Sequence, residues 1–220
     1  MGELLDIVTP LHKRTKRDYI GRMTDHKVEC MKTARKYGPE FWDGDRRFGY
    51  GGYRYDGRWK PVAEKMIQRY ALGPGASVLD VGCGKGYLLY ELSALLPGAR
   101  LAGFDISDYA VDQAKPEVRD MLFVHRAEHE FPFEDDSFDL VISLTTLHNL
   151  EPFDLEQSLG EIERVGRAGY VLVESFRSDA ELFNLQCWAL TCRTFLSPAG
   201  WEWLFAKSGY AGDFEFIYFE

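Results

Sequence analysis

From residue 77 onward, short and almost unbroken apolar runs alternate with segments whose apolar positions recur at helical spacing. Runs of the first kind predict strands buried on both faces; the second predict amphipathic helices. "SVLDV" (77–81), "RLAGFD" (100–105), "MLFVHR" (121–126), "FDLVIS" (138–143), "YVLVES" (170–175) and "DFEFIYF" (213–219) read as strands. "YLLYELSALL" (87–96), "SDYAVDQAK" (107–115) and "DLEQSLGEIERV" (154–165) read as helices, the last with Leu155, Leu159, Ile162 and Val165 on one face. A further helix is expected from Asp179 to about Thr191. Another opens at Ser197-Pro198, an N-cap followed by proline at the first helical position. This alternation predicts an α/β fold with a doubly wound, mostly parallel sheet. Ligands of such sheets bind outside the C-terminal strand ends, where strand order reverses. Chemistry is therefore expected in the loops that follow strands.

The preceding segment breaks this rhythm. "TDHKVECMKTARKYG" (24–38) reads as helical, and "FGYGGYRYDGRW" (48–59) is rich in aromatics and glycine. "RWKPVAEKMIQRYAL" (58–72) puts Trp59, Val62, Ala63, Met66, Ile67 and Tyr70 on one helix face. We expect an N-terminal helical and aromatic arm, or lid, over 1–57 and one sheet domain over 58–220.

Composition narrows the function. The chain has 220 residues, 45% of them hydrophobic, enough for a full core. Its net charge of −9 argues against nucleic acid, whose non-specific affinity comes from basic surface. The basic stretch 11–17, "LHKRTKR", reads as a seat for an anionic partner or as a solvated arm. The four cysteines, Cys30, Cys83, Cys187 and Cys192, form no CxxC pair, and no His/Cys cluster has zinc spacing. Reduced thiols and no metal are expected. No stretch reads as a signal peptide or a bilayer span, so a cytoplasmic location is expected, with no membrane partner.

"VLDVGCGKG" (78–86) holds the main ligand signal. A phosphate loop needs GxxxxGK[ST]; here Lys85 is followed by Gly86 and lies too close to Gly82, so the Gly-Lys pair is incidental to ligand binding. A dinucleotide loop needs GxGxxG; here Gly82, Gly84 and Gly86 give GxGxG, and Tyr87 stands where the last glycine belongs. Asp80 at the strand end would repel a pyrophosphate but favours an ammonium group. S-adenosylmethionine has an adenosine, no phosphate and a zwitterionic tail. Asp105, ending the next strand about twenty residues on, suits ribose hydroxyls.

"VLDVGCGKG", "GFDIS", "RAEHEFPFEDDSFDLVISLTTLHNL" and "SPAGWEWLFAKSGY" together resemble the class I S-adenosylmethionine-dependent methyltransferases, most of all the small-molecule, ubiquinone/menaquinone-type branch. The resemblance covers roughly 58–220 and implies the Rossmann-like fold of that class. It implies cofactor contacts at Asp80, Gly82, Cys83, Gly84, Gly86 and Asp105, with Ile106 on the adenine ring. Ala127 and Glu128 match the adenine edge; Ser143 and Leu144 would lie beneath the methionine tail. Arg126 stands where the family often has Asp, which shifts adenine recognition to Glu128 or the backbone. The family usually closes with an antiparallel hairpin, but one strand is predicted here after the last helix. The sheet is then one strand short, or the arm covers its edge, with "FGYGGYRY" one choice; an unprotected edge would favour dimerisation.

Methyl transfer from a sulfonium needs positioning above all, and a base only when the acceptor must lose a proton. His148 in "TTLHNL" follows the fourth strand and is the candidate base or acceptor orienter; a structural role in the loop is its other reading. Asn149 and Glu174 face the same rim, and Tyr53 and Arg54 are candidates to line the lid on the acceptor side. Cys83 reads as a small residue beside the ligand, Cys187 and Trp188 as core. The segment "SLTT" lacks the Asn/Asp-Pro-Pro-aromatic run of amine methyltransferases acting on DNA or protein amides. The expectation is a methyltransferase yielding S-adenosylhomocysteine, acting on O or N of a small acceptor, as monomer or homodimer. A protein or peptide methyltransferase and a non-catalytic S-adenosylmethionine-binding protein are the alternatives.

Overall fold

The structure is a computed structural model that describes residues 2–13 and 16–220. Arg14 and Thr15 of the basic stretch lie outside the described residues.

The strands are β1 (Ser77–Val81), β2 (Arg100–Asp105), β3 (Leu122–Val124), β4 (Leu140–Leu144), β5 (Gly169–Glu174) and β6 (Asp213–Ile217). They form one sheet in the order β3-β2-β1-β4-β5-β6, and every pairing is parallel. The order reverses between β1 and β4, so the loop after β1 opens into the crevice where such sheets bind ligands. The helices are α1 (Thr9–His12), α2 (Tyr19–Thr24), α3 (Lys27–Ala34), α4 (Pro39–Trp42), α5 (Lys60–Arg69), α6 (Tyr87–Leu95), α7 (Asp108–Asp112), α8 (Pro116–Arg119), α9 (Pro152–Val165), α10 (Asp179–Trp188) and α11 (Pro198–Lys207).

Side-chain alternation along each strand splits the core into two layers. Val78, Ile142, Leu172 and Ile217 face α5 and α6, against Met66, Leu88 and Leu92. Leu79, Val141, Val171 and Phe216 face the other side, against Leu155, Leu159 and Ile162 of α9 and Trp201 and Phe205 of α11. Every residue of β1, β4 and β6 is buried, which explains why apolar residues stand on both faces of these strands. Serine caps set the helix starts: Ser107, Ser178 and Ser197 accept from the N–H groups of Ala110, Glu181 and Gly200.

Several boundaries differ from the sequence reading. The helix expected over 24–38 is α3 alone, because His26 turns left-handed before it (φ 45°). The helix expected to reach Thr191 stops at Trp188, where Lys27 Nζ donates to the carbonyls of Cys187 (2.7 Å) and Ala189 (2.5 Å). An ammonium on terminal carbonyls caps a helix by charge as well as by hydrogen bonds. The third strand is short, and Val124 is 53% exposed at that edge of the sheet.

The opposite edge is covered by the N-terminal segment, and "FGYGGYRY" lies elsewhere. Leu4 bridges Phe214 in parallel, with Leu5 N–H donating to Phe214 O (2.9 Å) and Phe214 N–H to Glu3 O (3.0 Å). The buried Glu215 carboxylate accepts the N–H groups of Ile7 (2.7 Å), Val8 (3.0 Å) and Thr9 (2.5 Å), and the Tyr170 hydroxyl. A buried carboxylate with that many donors is stabilised where an unpaired one would be costly.

Candidate active site

The loop between β1 and α6 is held by both of its neighbours. Gly82 and Cys83 donate their N–H groups to Phe104 O (2.8 and 3.0 Å). Gly84 N–H donates to Asp105 Oδ2 (2.8 Å), and Ser107 N–H to Asp105 Oδ1 (2.8 Å). Asp105 thus clamps the loop after β1 to the loop after β2. Two glycines are required by close approach: a Cβ on Gly82 (φ +79°) would lie 2.0 Å from Thr146 Oγ1, and one on Gly84 (φ +55°) 2.8 Å from the Trp42 ring.

Two carboxylates sit under this loop, both buried. Burial raises the pKa of Asp105, partly offset by the N–H groups of Ser107, Gly84 and Ile106. Burial, then the nearby Asp105 charge, pushes Asp80 up to about 8. The Asp80 carboxyl carries no hydrogen bond to any described residue. A buried carboxyl without a partner calls for a cationic ligand group. Burial also raises the Cys83 thiol, so it stays protonated.

The arm lies over the loop. The Trp42 indole donates to Tyr37 O (3.0 Å) and Ser107 Oγ (2.9 Å), and its ring stacks with Tyr50 at 5.3 Å. Tyr53 stacks on Tyr87 at 5.1 Å, and its hydroxyl accepts from Trp59 Nε1 (3.1 Å). Lys85, read from sequence as incidental, is buried. Its ammonium donates to Asp43 Oδ2 (2.6 Å) and Tyr53 O (3.0 Å). The Tyr109 hydroxyl donates to the same Asp43 oxygen (2.7 Å). Burial would raise the Asp43 pKa, but the bonds from Lys85 and Tyr109 outweigh it and hold it below its ordinary value. Arg54 is exposed and makes no hydrogen bond or ion pair with the described residues.

On the other side of the crevice, Ser143 is fully buried and donates to Val81 O (3.1 Å), tying β4 to β1. Thr145 adopts φ 56°, an unfavourable conformation for a β-branched residue. The Asn149 amide donates to Thr145 O (3.2 Å) and Thr146 O (3.0 Å), so it shapes this turn. His148 is buried, and both ring nitrogens face Glu174. Nδ1 accepts the Glu174 N–H (3.3 Å), and Nε2 lies 3.5 Å from Glu174 Oε2. Accepting at Nδ1 puts the proton on Nε2, toward the carboxylate. Burial lowers the His148 pKa to about 3 and, against the opposing charges of Arg17 and Lys27, raises Glu174 to about 7.

Beyond β2 and β3, Ile106 is 38% exposed beside Asp105, a large apolar group open to a ring. Ala127 is buried and its N–H finds no acceptor among the described residues. The Glu128 carboxylate is engaged by Arg126, whose Nε donates at 2.6 Å. His125 packs on Phe104 at 5.1 Å and His129 lies beside it. Asp80, Gly82, Cys83, Gly84, Gly86, Asp105, Ile106, Ala127 and Ser143 are thus gathered at the strand ends around one crevice. The sequence reading missed Tyr37, Trp42, Asp43 and Lys85. Only the "FGYGGYRY" aromatics hinted at an arm lying on this loop.

The glycine loop, the two strand-end carboxylates and the β1/β4 switch define a Rossmann-like class I methyltransferase. A methyltransferase-domain family profile matches residues 72–208, and the chain belongs to that family. A methyltransferase of Synechocystis is 32% identical over 119 residues, 53% of this chain and 55% of that protein. The demethylmenaquinone methyltransferase of Chlorobaculum tepidum is 31% identical over 115 residues, 52% of this chain and 46% of that protein. The chain therefore spans about half the length of these curated relatives. A Haloferax volcanii methyltransferase complex with the activator Trm112 has a chain of like fold: TM-score 0.56, 22% identity, 89% of this chain and 77% of that one covered. No helix among the described residues is long and apolar enough to cross a membrane.

Proposed function

We propose that the chain transfers a methyl group from S-adenosylmethionine to an O or N atom of a small-molecule acceptor. The observation that carries this reading is the partnerless buried Asp80 beside Asp105 under a loop of close-packed glycines. These residues fit the cofactor: Asp80 suits its ammonium, Asp105 its ribose hydroxyls, Ile106 its adenine face and the Ala127 N–H the adenine edge. When bound, its sulfonium would supply an activated methyl group for an acceptor lone pair to displace, with sulfur as the leaving group.

The chain's own part is positioning and proton removal. Trp42, Tyr50 and Tyr53 form an aromatic cover above the loop, with Tyr50 at its exposed outer side. Glu174, with a pKa near neutrality, is the proton acceptor at the rim, and His148 is the positioning residue behind it. The Nδ1 of His148 is taken by the Glu174 N–H, and its Nε2 lies toward Glu174 Oε2 (3.5 Å). An aromatic cover of this kind favours a small acceptor over a peptide. The demethylmenaquinone methyltransferase among the relatives supports a small acceptor as well.

Calorimetric titration of the full chain with S-adenosylhomocysteine tests the cofactor assignment. Saturable binding that weakens at least tenfold in Asp80→Asn is expected; no binding by the unaltered chain would overturn it.

A further inference from the structure

A cavity of about 650 Å³ opens between α3, the end of α10 and the segment after it. Its apolar wall includes Met23, Val28 and Met31; its polar wall includes Lys27, Arg35 and Arg193. The volume is that of a small-ligand site. It adjoins the rim just described: Arg193 and Thr194 donate their N–H groups to His148 O (3.0 and 3.1 Å). Burial first, then the nearby Glu174 carboxylate, push up the thiol of Cys192 in the cavity wall. The Tyr37 carbonyl accepts from Ser107 Oγ (2.5 Å), which links the same region to the loop after β2.

The charge here is unbalanced. Among the described residues, the Lys27 ammonium donates only to the two carbonyls at the end of α10. The Arg35 side chain is exposed and has no hydrogen bond or ion pair among the described residues. Just behind, Arg22 and Arg46 lie on the Trp188 ring at 4.6 and 5.1 Å. Both donate to backbone carbonyls: Arg22 to Trp188 O (3.3 Å) and Arg46 O (2.5 Å), Arg46 to Gly49 O (2.9 Å) and Tyr50 O (3.0 Å). Burial lowers Arg22 to about 10 and Lys27 to about 8. The facing carboxylates are Glu174, at the rim, Asp25, which lies near Arg22 and is taken by Arg47 (2.8 Å), and Glu151, which is taken by Arg193 (2.7 Å). In a chain of net charge −9, Lys27 and Arg35, neither of them hydrogen-bonded to a carboxylate among the described residues, lie beside an apolar wall and suit an anionic ligand.

We propose that this cavity is the acceptor subsite and that the acceptor is a small carboxylic acid with an apolar body. Lys27 and Arg35 hold the carboxylate, and Met23, Val28 and Met31 hold the body. One ammonium and one guanidinium match a monoanion; a phosphate dianion would need Arg193 as well, which Glu151 occupies. The acceptor role rests on the methyl-transfer reading, whereas the binding chemistry does not.

Octanoate and its neutral counterpart 1-octanol test this by calorimetric titration of the full chain. Octanoate binding at least tenfold tighter than octanol is expected. Arg35→Met and Lys27→Met should each weaken octanoate about tenfold and leave octanol unchanged. Lys27 also ties α3 to α10, so the exposed Arg35 gives the variant free of folding effects. Equal affinity for the two probes, or an Arg35→Met chain that binds octanoate unchanged, overturns the proposal. Parallel titration with S-adenosylhomocysteine separates the two readings. Selective octanoate binding without it sustains the anionic subsite and removes the acceptor role. S-adenosylhomocysteine binding without octanoate selectivity removes the subsite and leaves methyl transfer standing.

Discussion

Lys85→Met removes the charged latch between the arm and the loop while keeping a side chain of similar length. Two hydrogen bonds are lost, to Asp43 Oδ2 (2.6 Å) and to Tyr53 O (3.0 Å). Bonds to charged groups contribute about 1.5–3 kcal/mol each before compensation. Compensation is available: the Asp43 side chain is 29% exposed and keeps the Tyr109 hydroxyl and the Tyr53 N–H (3.1 Å). The methionine also avoids the cost of burying an ammonium. A net loss of about 2–3 kcal/mol in arm docking follows, from two charge-assisted bonds less partial rehydration. Each 1.36 kcal/mol is tenfold, so amide hydrogen exchange at Trp42 and Tyr53 should accelerate about 30- to 150-fold. Their N–H groups donate to Gly38 O and Trp42 O within the arm, so they report its local opening. Exchange in β1 and β4 should change far less, since the sheet does not depend on this latch. The Asp43→Asn, Lys85→Met double variant should lose little more than either single one. Unchanged exchange at Trp42 and Tyr53 would show that aromatic stacking alone docks the arm and would refute the latch.

Asp105→Ala should weaken S-adenosylhomocysteine binding by about 1–3 kcal/mol through lost hydrogen bonds; unchanged affinity by calorimetry would remove the ribose assignment. Gly84→Ala places a Cβ 2.8 Å from the Trp42 ring at a left-handed φ of +55°, and should lower the urea midpoint. The backbone conformation alone costs about 1–2 kcal/mol, and an unshifted midpoint would contradict the close approach. Glu174 has a folded pKa of about 7, above its ordinary 4.5, so its stabilising protonated form is fully present below pH 4.5 and is lost as pH rises through 7. Glu174→Gln should therefore unfold at higher denaturant than the unaltered chain at pH 8, with the gap closing toward pH 4.5. A gap that does not vary with pH would place the carboxyl in water.

The sheet was legible because its signals are local. The all-buried strands read as apolar runs, the α9 stripe repeats at helical spacing, and Ser107 and Ser197 announce their caps within three residues. Asp80 and Asp105 were legible because a strand end fixes where the next residue stands. The arm was not. Lys85 meets Asp43 across 42 residues and Trp42 meets Ser107 across 65, so neither pairing leaves a periodic trace. The covered β6 edge depends on contacts more than 200 residues apart. His148 was read as facing a substrate because its loop does; its ring turns inward to Glu174, a choice made by burial. Asn149 and Arg54 were expected on the acceptor side; the Asn149 amide holds the turn at Thr145 and Thr146, and the Arg54 side chain is exposed, placements that leave no periodic trace.

The segment on β6 has a consequence for how the arm works. One end of the arm is fastened there, through Glu3, Leu5 and the Glu215 carboxylate, and the other by α5 packed against α6. The arm is therefore a strap with two fixed ends, and opening it is an excursion within one molecule. A tethered patch sees its docking surface at an effective concentration on the order of millimolar, and loop length changes this only slowly. The Trp42, Tyr50 and Tyr53 contacts can then be individually weak and still keep the crevice covered. Admission of a ligand becomes a hinge equilibrium, indifferent to dilution and tuned one hydrogen bond at a time.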